Sequence, residues 1–211
     1  MELRGIDLGC IRGGRRVFEG VNFSVAAGTP LLLTGANGAG KSSLLRLIAG
    51  LIHPDHGTVA IEGGDDELTV GEQTHYLGHL DPLKGALTVM ENLAFWVSFL
   101  NAEAGPDAWD RAERSLDIVG LGELADVPAG YLSAGQRRRL SLARMVAVPR
   151  SLWLLDEPTN ALDAASQERL DGLMRGHLGG GGLIVAATHG PLGLPSAQEL
   201  RLGQLRPGKA P

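Results

Sequence analysis

Cysteine is almost absent from this chain: Cys10 is the only one in 211 residues. No internal disulfide can form, and no paired-cysteine metal site or haem-attachment motif exists, which suits a reducing compartment. Long apolar runs are missing too. Stretches such as "LAFWV" fall far short of the roughly 20 residues that a membrane-spanning helix needs. The opening "MELRGIDLGC" carries an early acid and no apolar core, so no signal peptide is expected. Any membrane role would run through a partner. A basic excess is also lacking, since 19 Lys and Arg stand against 24 Asp and Glu, a net charge of −5. That balance argues against a general nucleic-acid binder and leaves room only for a local basic patch. No internal repeat or low-complexity tract breaks the chain.

What is present is a globular composition, 44% hydrophobic and 20% charged, with 31 glycines that imply many tight turns. At the N-terminus "ELRGIDL", "RRVFEG", "VNFSVAAG" and the apolar "PLLLT" read as short strands joined by glycine turns. "KSSLLRLIAGLI" has helical leucine spacing, and "GTVAIEGG" returns as a strand. Residues 88–150 are mostly helical. Thr88 and Glu91 form a capping-box pair at the head of "TVMENLAFWVSFL", and "DAWDRAERSLDIVGL" and "SAGQRRRLSLARMVA" follow. Then come a strand "SLWLLDEP", a helix "AASQERLDGLMRGHL", a strand "GLIVAATH" and a hairpin-like "ELRLGQLRPG". The pattern predicts an α/β fold with a parallel core sheet, an antiparallel N-terminal patch and a helical subdomain. One domain, 1–211, is expected, with the core at about 1–80 and 151–211 and the helical subdomain at about 81–150.

"GANGAGKSS" fits G-x-x-x-x-G-K-[ST] at Gly35, Gly40, Lys41 and Ser42, after an apolar strand and before a helix. Such a loop wraps backbone N–H groups around a polyphosphate, with Lys41 reaching the terminal phosphates and Ser42 offering a ligand to Mg²⁺. "SLWLLDEP" ends a buried strand in Asp156, placed to hold Mg²⁺ through water, and Glu157, placed to polarise a water. Together these favour ATP hydrolysis. His189 follows the next apolar strand, where ligands sit in parallel sheets. "LSAGQRRRLSLAR" offers a second anion site at the start of a helix. Ser133 and Gln136 also satisfy a capping box, so a plain helix start is the competing reading. If the stretch binds phosphate, it suits the nucleotide of a second copy related by a two-fold axis.

With these motifs in this order the chain resembles the ATP-binding cassette (ABC) ATPases over nearly its whole length. The resemblance implies a P-loop NTPase fold that binds ATP with Mg²⁺. It assigns Gly35, Ala36, Asn37, Gly38, Ala39, Gly40, Lys41, Ser42 and Ser43 to the phosphate loop, and Ser133, Gly135 and Gln136 to the signature. Ser42 and Asp156 become metal ligands, Glu157 the catalytic base, His189 the γ-phosphate switch, and Asp163 of "NALD" a contact across the dimer. Two positions depart from the pattern. Arg12 stands where relatives stack an aromatic on adenine, although a guanidinium can also stack on a π-face. His79 and Leu80 stand where a glutamine is usual.

That second departure, with "LSAGQRRRLSLAR" and "DEPTNALD", is similar to the ATPase subunits of cytochrome c maturation systems. Those dock, peripherally, on a polytopic membrane subunit at the cytoplasmic face of the bacterial inner membrane. Their ATP hydrolysis is coupled to haem export or to release of a haem-loaded chaperone. The resemblance thus implies a head-to-tail homodimer, a membrane partner, an indirect haem chaperone and no nucleic acid. Competing readings are the ATPase of a transporter for another substrate, a soluble ABC ATPase and a non-hydrolysing nucleotide module. Between Lys41 and Ser133 there is no room for the long coiled coil of soluble repair ATPases. His53 and His56 of "HPDH" are expected in an ordinary turn, and Arg137–Arg139 on a solvated or partner-facing side of their helix.

Overall fold

The computed structural model describes residues 1–100, 108–188, 190, 192–194 and 196–203. They form two compact units. One comprises Met1–Gly78, Ser151–Pro158 and Met174–Pro211, and the other His79–Arg150 and Thr159–Leu173.

The first unit is built around two central strands buried on both faces. Strands β3 (Pro30–Thr34), β5 (Thr74–Leu77), β6 (Leu152–Asp156), β7 (Leu183–Ala187) and β8 (Gln198–Arg201) form a sheet in the order β5-β6-β7-β3-β8. Every pairing in it is parallel. β6 and β7 are buried at each residue, as strands covered on both faces must be. Helix α1 (Lys41–Ile48) buries Leu44, Leu45, Leu47 and Ile48 in the same core as Leu31, Leu154 and Val185.

An antiparallel sheet holds β1 (Glu2–Arg12), β2 (Arg15–Ala26) and β4 (His56–Glu62) in the order β2-β1-β4. The first three of the short N-terminal strands predicted from sequence are thus two long ones, while "PLLLT" is β3 as expected. Only Gly13–Gly14 makes a hairpin turn, with φ of 55° and 74°, the mirror-image geometry that matches strand twist. The other irregularities between Gly5 and Ile11 are absorbed as register shifts within the β1–β2 ladder. At the far end "ELRLGQLRPG" is not a hairpin. Its first part is β8, which pairs with β3, and the rest of it from residue 204 lies outside the described residues. β5 was not anticipated at all.

The second unit contains α2 (Val89–Leu100), α3 (Ala108–Ile118) and α4 (Ala134–Ala147), which pack on one another. The Thr88–Glu91 capping box is present. Thr88 N–H donates to Glu91 Oε2 at 2.8 Å, and Glu91 N–H to Thr88 Oγ1 at 3.1 Å. One turn in, buried Asn92 ties down the preceding loop, donating to the carbonyls of Lys84, Leu87 and Thr88 and accepting from Lys84 N–H.

The run Arg137–Arg139 of α4, expected on a solvated or partner-facing side, is not simply solvated. Arg137 donates to the carbonyl of Leu132, and Arg139 to those of Val119 (3.2 Å) and Gly120 (2.8 Å), just past the end of α3. Arg138 is buried, 3.6 Å from the Asp81 carboxylate. Arg138 and Arg139 thus reach residues distant in sequence, and the carbonyls past the end of α3 are natural acceptors for Arg139.

Helix α5 (Ala164–Gly179) ends in His177, whose ring stacks on Trp153 of β6 with centroids 4.1 Å apart and planes 6° from parallel. Its Nε2 lies 3.2 Å from the Leu183 carbonyl. Burial holds the imidazole pKa below its ordinary value, partly offset by the carbonyls of Leu183 and Ser151. The folded state therefore prefers the neutral ring, and the unfolded chain takes up the proton first as pH falls. This contribution to stability is complete above about pH 6.5, the unperturbed imidazole value, and is lost as pH drops through the lower folded value. The melting temperature should fall between pH 7.5 and 5. In His177→Asn that fall should be shallower, and an unchanged slope would exclude His177 as its source.

Candidate functional site

Because the core sheet is parallel, its strands end at one edge, where α/β proteins bind ligands. β3 runs there into the loop 35–40. Gly35 has φ 134°, and a Cβ on it would collide with the carbonyl oxygen of Leu202, which follows β8. Gly40 has φ 102°, and a Cβ there would lie 2.7 Å from Val17 and 3.0 Å from Phe18 of β2. Glycine is therefore required twice over, by dihedral and by space. Ala36, Asn37 and Gly38 form the exposed crest of the loop, and Ala39 N–H closes it on Ala36 O at 3.1 Å.

Lys41 begins α1 and is buried. Its Nζ donates to the carbonyls of Gly35 (2.8 Å) and Ala36 (3.2 Å), which holds the ammonium against the loop. Gly40, the residue before the helix, offers no side-chain cap. The first N–H groups of α1, at Lys41, Ser42 and Ser43, thus have no capping side chain and sit at the positive end of the helix dipole. Loop, ammonium and helix end together suit a polyphosphate.

Across the edge, β6 ends in Asp156, which is buried, followed by Glu157. Glu157 has φ 49°, a left-handed conformation rare for a residue with a side chain, and its N–H donates to the Ala187 carbonyl at the end of β7 at 2.8 Å. Such strain persists where surrounding structure enforces it, and it gathers at functional sites. Nothing in the sequence signalled it. Ser42 and Asp156 offer hydroxyl and carboxylate oxygens, the hard, incomplete donor set that Mg²⁺ completes with phosphate and water. The residues present fit that ion.

A third side chain joins Asp156. The Tyr76 hydroxyl on β5 lies 3.4 Å from Asp156 Oδ2, and Arg46 Nε of α1 donates to the same hydroxyl at 3.3 Å. Burial first, and then the Asp156 charge, push the phenol pKa up, against the lowering pull of Arg46. The phenol therefore keeps its proton for donation to the carboxylate. Sequence reading missed both Tyr76 and Arg46.

In the helical unit the signature residues form a complete capping box. Gln136 N–H donates to Ser133 Oγ at 3.2 Å, and Ser133 N–H to Gln136 Oε1 at 2.8 Å. The helix-start reading thus holds for both side chains, while the N–H groups of Ala134 and Gly135 stay at the dipole's positive end. Gly135 lies against the 159–163 turn, for a Cβ on it would be 2.7 Å from the Ala161 carbonyl oxygen. Ala161 itself has φ 64°. Asp163 accepts from Ser166 N–H at 2.8 Å at the start of α5, and this bonding to Ser166 lowers its carboxyl pKa. The structure thus gives Asp163 a helix-capping task.

Arg12 is exposed at the β1–β2 hairpin, opposite Arg15. His79 and Leu80 open the helical unit directly after Gly78, both exposed, Leu80 at 88%. The ring of His56 covers Gly9 of the neighbouring strand, and its Nδ1 faces Asp55 at 3.2 Å. His189 lies outside the described residues.

The ABC transporter family profile matches residues 18–160. The chain is 59% identical over 203 residues to the cytochrome c biogenesis ATP-binding export protein CcmA of Rhodopseudomonas palustris (strain BisB18), covering 96% of this chain and 98% of that one. Against the protein of the same name from Bradyrhizobium diazoefficiens the identity is 56%, with the same coverage. Among solved structures, an ATP-binding subunit of an ABC transporter superposes with a TM-score of 0.79 at 25% identity, covering 90% of this chain and 80% of that one. A dimeric ATP-binding cassette bound to ADP and Pi shares the fold, with a TM-score of 0.80 at 24% identity and coverage of 95% and 94%. The chain belongs to the ABC transporter family and, within it, to the cytochrome c biogenesis ATP-binding export proteins.

Proposed function

We propose that this chain is the ATP-hydrolysing subunit of a membrane export complex for c-type cytochrome biogenesis. One observation carries the chemistry: α1 lacks a side-chain cap beside the Asp156–Glu157 turn, at one edge of a parallel sheet. In this reading Gly35–Ser43 cradle the phosphates of ATP, and Lys41 swings from its loop carbonyls onto the terminal phosphates. Ser42 and Asp156 hold Mg²⁺, which neutralises phosphate charge when bound. Glu157 orients and polarises the attacking water, and its enforced backbone fixes the carboxylate's line of approach. By family resemblance His189 contacts the γ-phosphate and Arg12 lies by the adenine.

The signature helix completes the site of a second copy. Ser133, Gly135 and Gln136, with their shape fixed by the capping box, present N–H groups to the other copy's nucleotide in a head-to-tail homodimer. Asp163 lies in the turn next to Gly135 and carries the contact between copies. Among the described residues no helix is long and apolar enough to cross a membrane. The chain acts peripherally at the cytoplasmic face of the inner membrane, bound to a polytopic subunit. His79, at the entrance of the helical unit, couples hydrolysis to that partner. The output is haem export or release of a haem-loaded chaperone.

Lys41→Ala should abolish binding of a labelled ATP analogue by the isolated chain. Ser133→Arg should leave that binding within about twofold while cutting hydrolysis at least tenfold, because its effect falls on the other copy. Equal loss of affinity in both variants would refute the shared site.

In cells, Glu157→Gln should remove covalent haem from c-type cytochromes while b-type cytochromes stay normal. Haem-stained gels with normal c-type bands would refute the cytochrome assignment and leave the ATPase reading standing.

A further inference from the structure

Asp156 ends a strand buried at every residue, where polar oxygens need hydrogen-bond donors. Tyr76 comes from the neighbouring strand, in register one pair before the end, since Tyr76 pairs with Leu154 and Leu77 with Leu155. Its hydroxyl lies 3.4 Å from Asp156 Oδ2 and accepts from Arg46 Nε at 3.3 Å. Arg46 in turn sits four residues after Ser42 on α1, one helical turn along the same face. A chain of hydrogen bonds therefore runs from Asp156 through Tyr76 to Arg46, on the helix that carries Ser42. The guanidinium polarises the phenol, which makes its O–H a stronger donor to the carboxylate.

We propose that Tyr76, braced by Arg46, is a positioning residue that fixes the Asp156 carboxylate relative to Ser42. Held at Oδ2 by the hydroxyl, the carboxylate keeps Oδ1 for the metal. The spacing between the two ligands is then set before nucleotide arrives. This rests on the phosphate and metal reading of Lys41, Ser42 and Asp156 given above.

The test is the affinity of the full-length chain for a fluorescent ATP analogue, with and without Mg²⁺. Asp156→Asn should bring the Mg²⁺-dependent gain close to nothing. Tyr76→Phe keeps the ring. It should leave Mg²⁺-free affinity within about twofold and reduce the Mg²⁺-dependent gain about tenfold, the scale of one hydrogen bond to a charged group. The double variant should match Asp156→Asn alone, because both act on one carboxylate.

If Asp156→Asn loses the gain while Tyr76→Phe keeps it, the positioning role is wrong and the metal reading stands. If Asp156→Asn keeps it, the metal reading fails and takes this proposal with it. Arg46→Gln, which leaves the phenol in place, asks the same question should Tyr76→Phe fold poorly. A reduced gain supports the relay, and an unchanged one overturns it.

Discussion

Everything at the candidate site depends on the parallel register of β3, β6 and β7. Leu33 pairs with Ala187, and Asp156 with Ala187, so Thr34, Asp156 and the end of β7 reach the same edge. Glu157 N–H then bonds back to Ala187, locking the turn that carries both carboxylates. A one-residue slip of β6 would exchange its two faces and point Asp156 away from α1. Continuous apolar burial along β6 and β7 gives the core its drive to form, and the ladder supplies the register.

The two helix starts with family motifs are built in opposite ways. At α1 the preceding residue is a left-handed glycine with no side chain to cap, and the Lys41 ammonium is held by loop carbonyls. At α4 two side chains cap each other's backbone. The first therefore leaves its N–H groups without a capping side chain, whereas at the second Ser133 and Gln136 each occupy one backbone donor. The contact between Gly135 and Ala161 adds that any shift of the 159–163 turn bears directly on the signature backbone.

Much of this was legible in the sequence, because glycine spacing and apolar runs act locally. The glycine loop at 35–40, the Asp156–Glu157 strand end and both capping boxes each follow from a few adjacent residues. What was not legible depends on distance along the chain. β8 is a short edge strand, mostly exposed, whose place is set by pairing with β3. The run Arg137–Arg139 looked solvated because a run of charge is usually so, yet Arg138 is buried beside Asp81 and Arg139 bonds carbonyls past the end of α3. Tyr76 and Asp156 are 80 positions apart, and no local pattern announces their meeting. The left-handed backbone at Glu157 and Ala161 is likewise imposed by tertiary bonds and not by residue type.

The central claim is that each nucleotide is held by the phosphate loop of one copy and the signature helix of another. Light scattering on purified Glu157→Gln with ATP and Mg²⁺ tests it most directly, since slow hydrolysis leaves the sandwich standing. The account predicts a doubling of mass with ATP and none with ADP. A chain that stays monomeric at saturating ATP, with the nucleotide demonstrably bound, would contradict it.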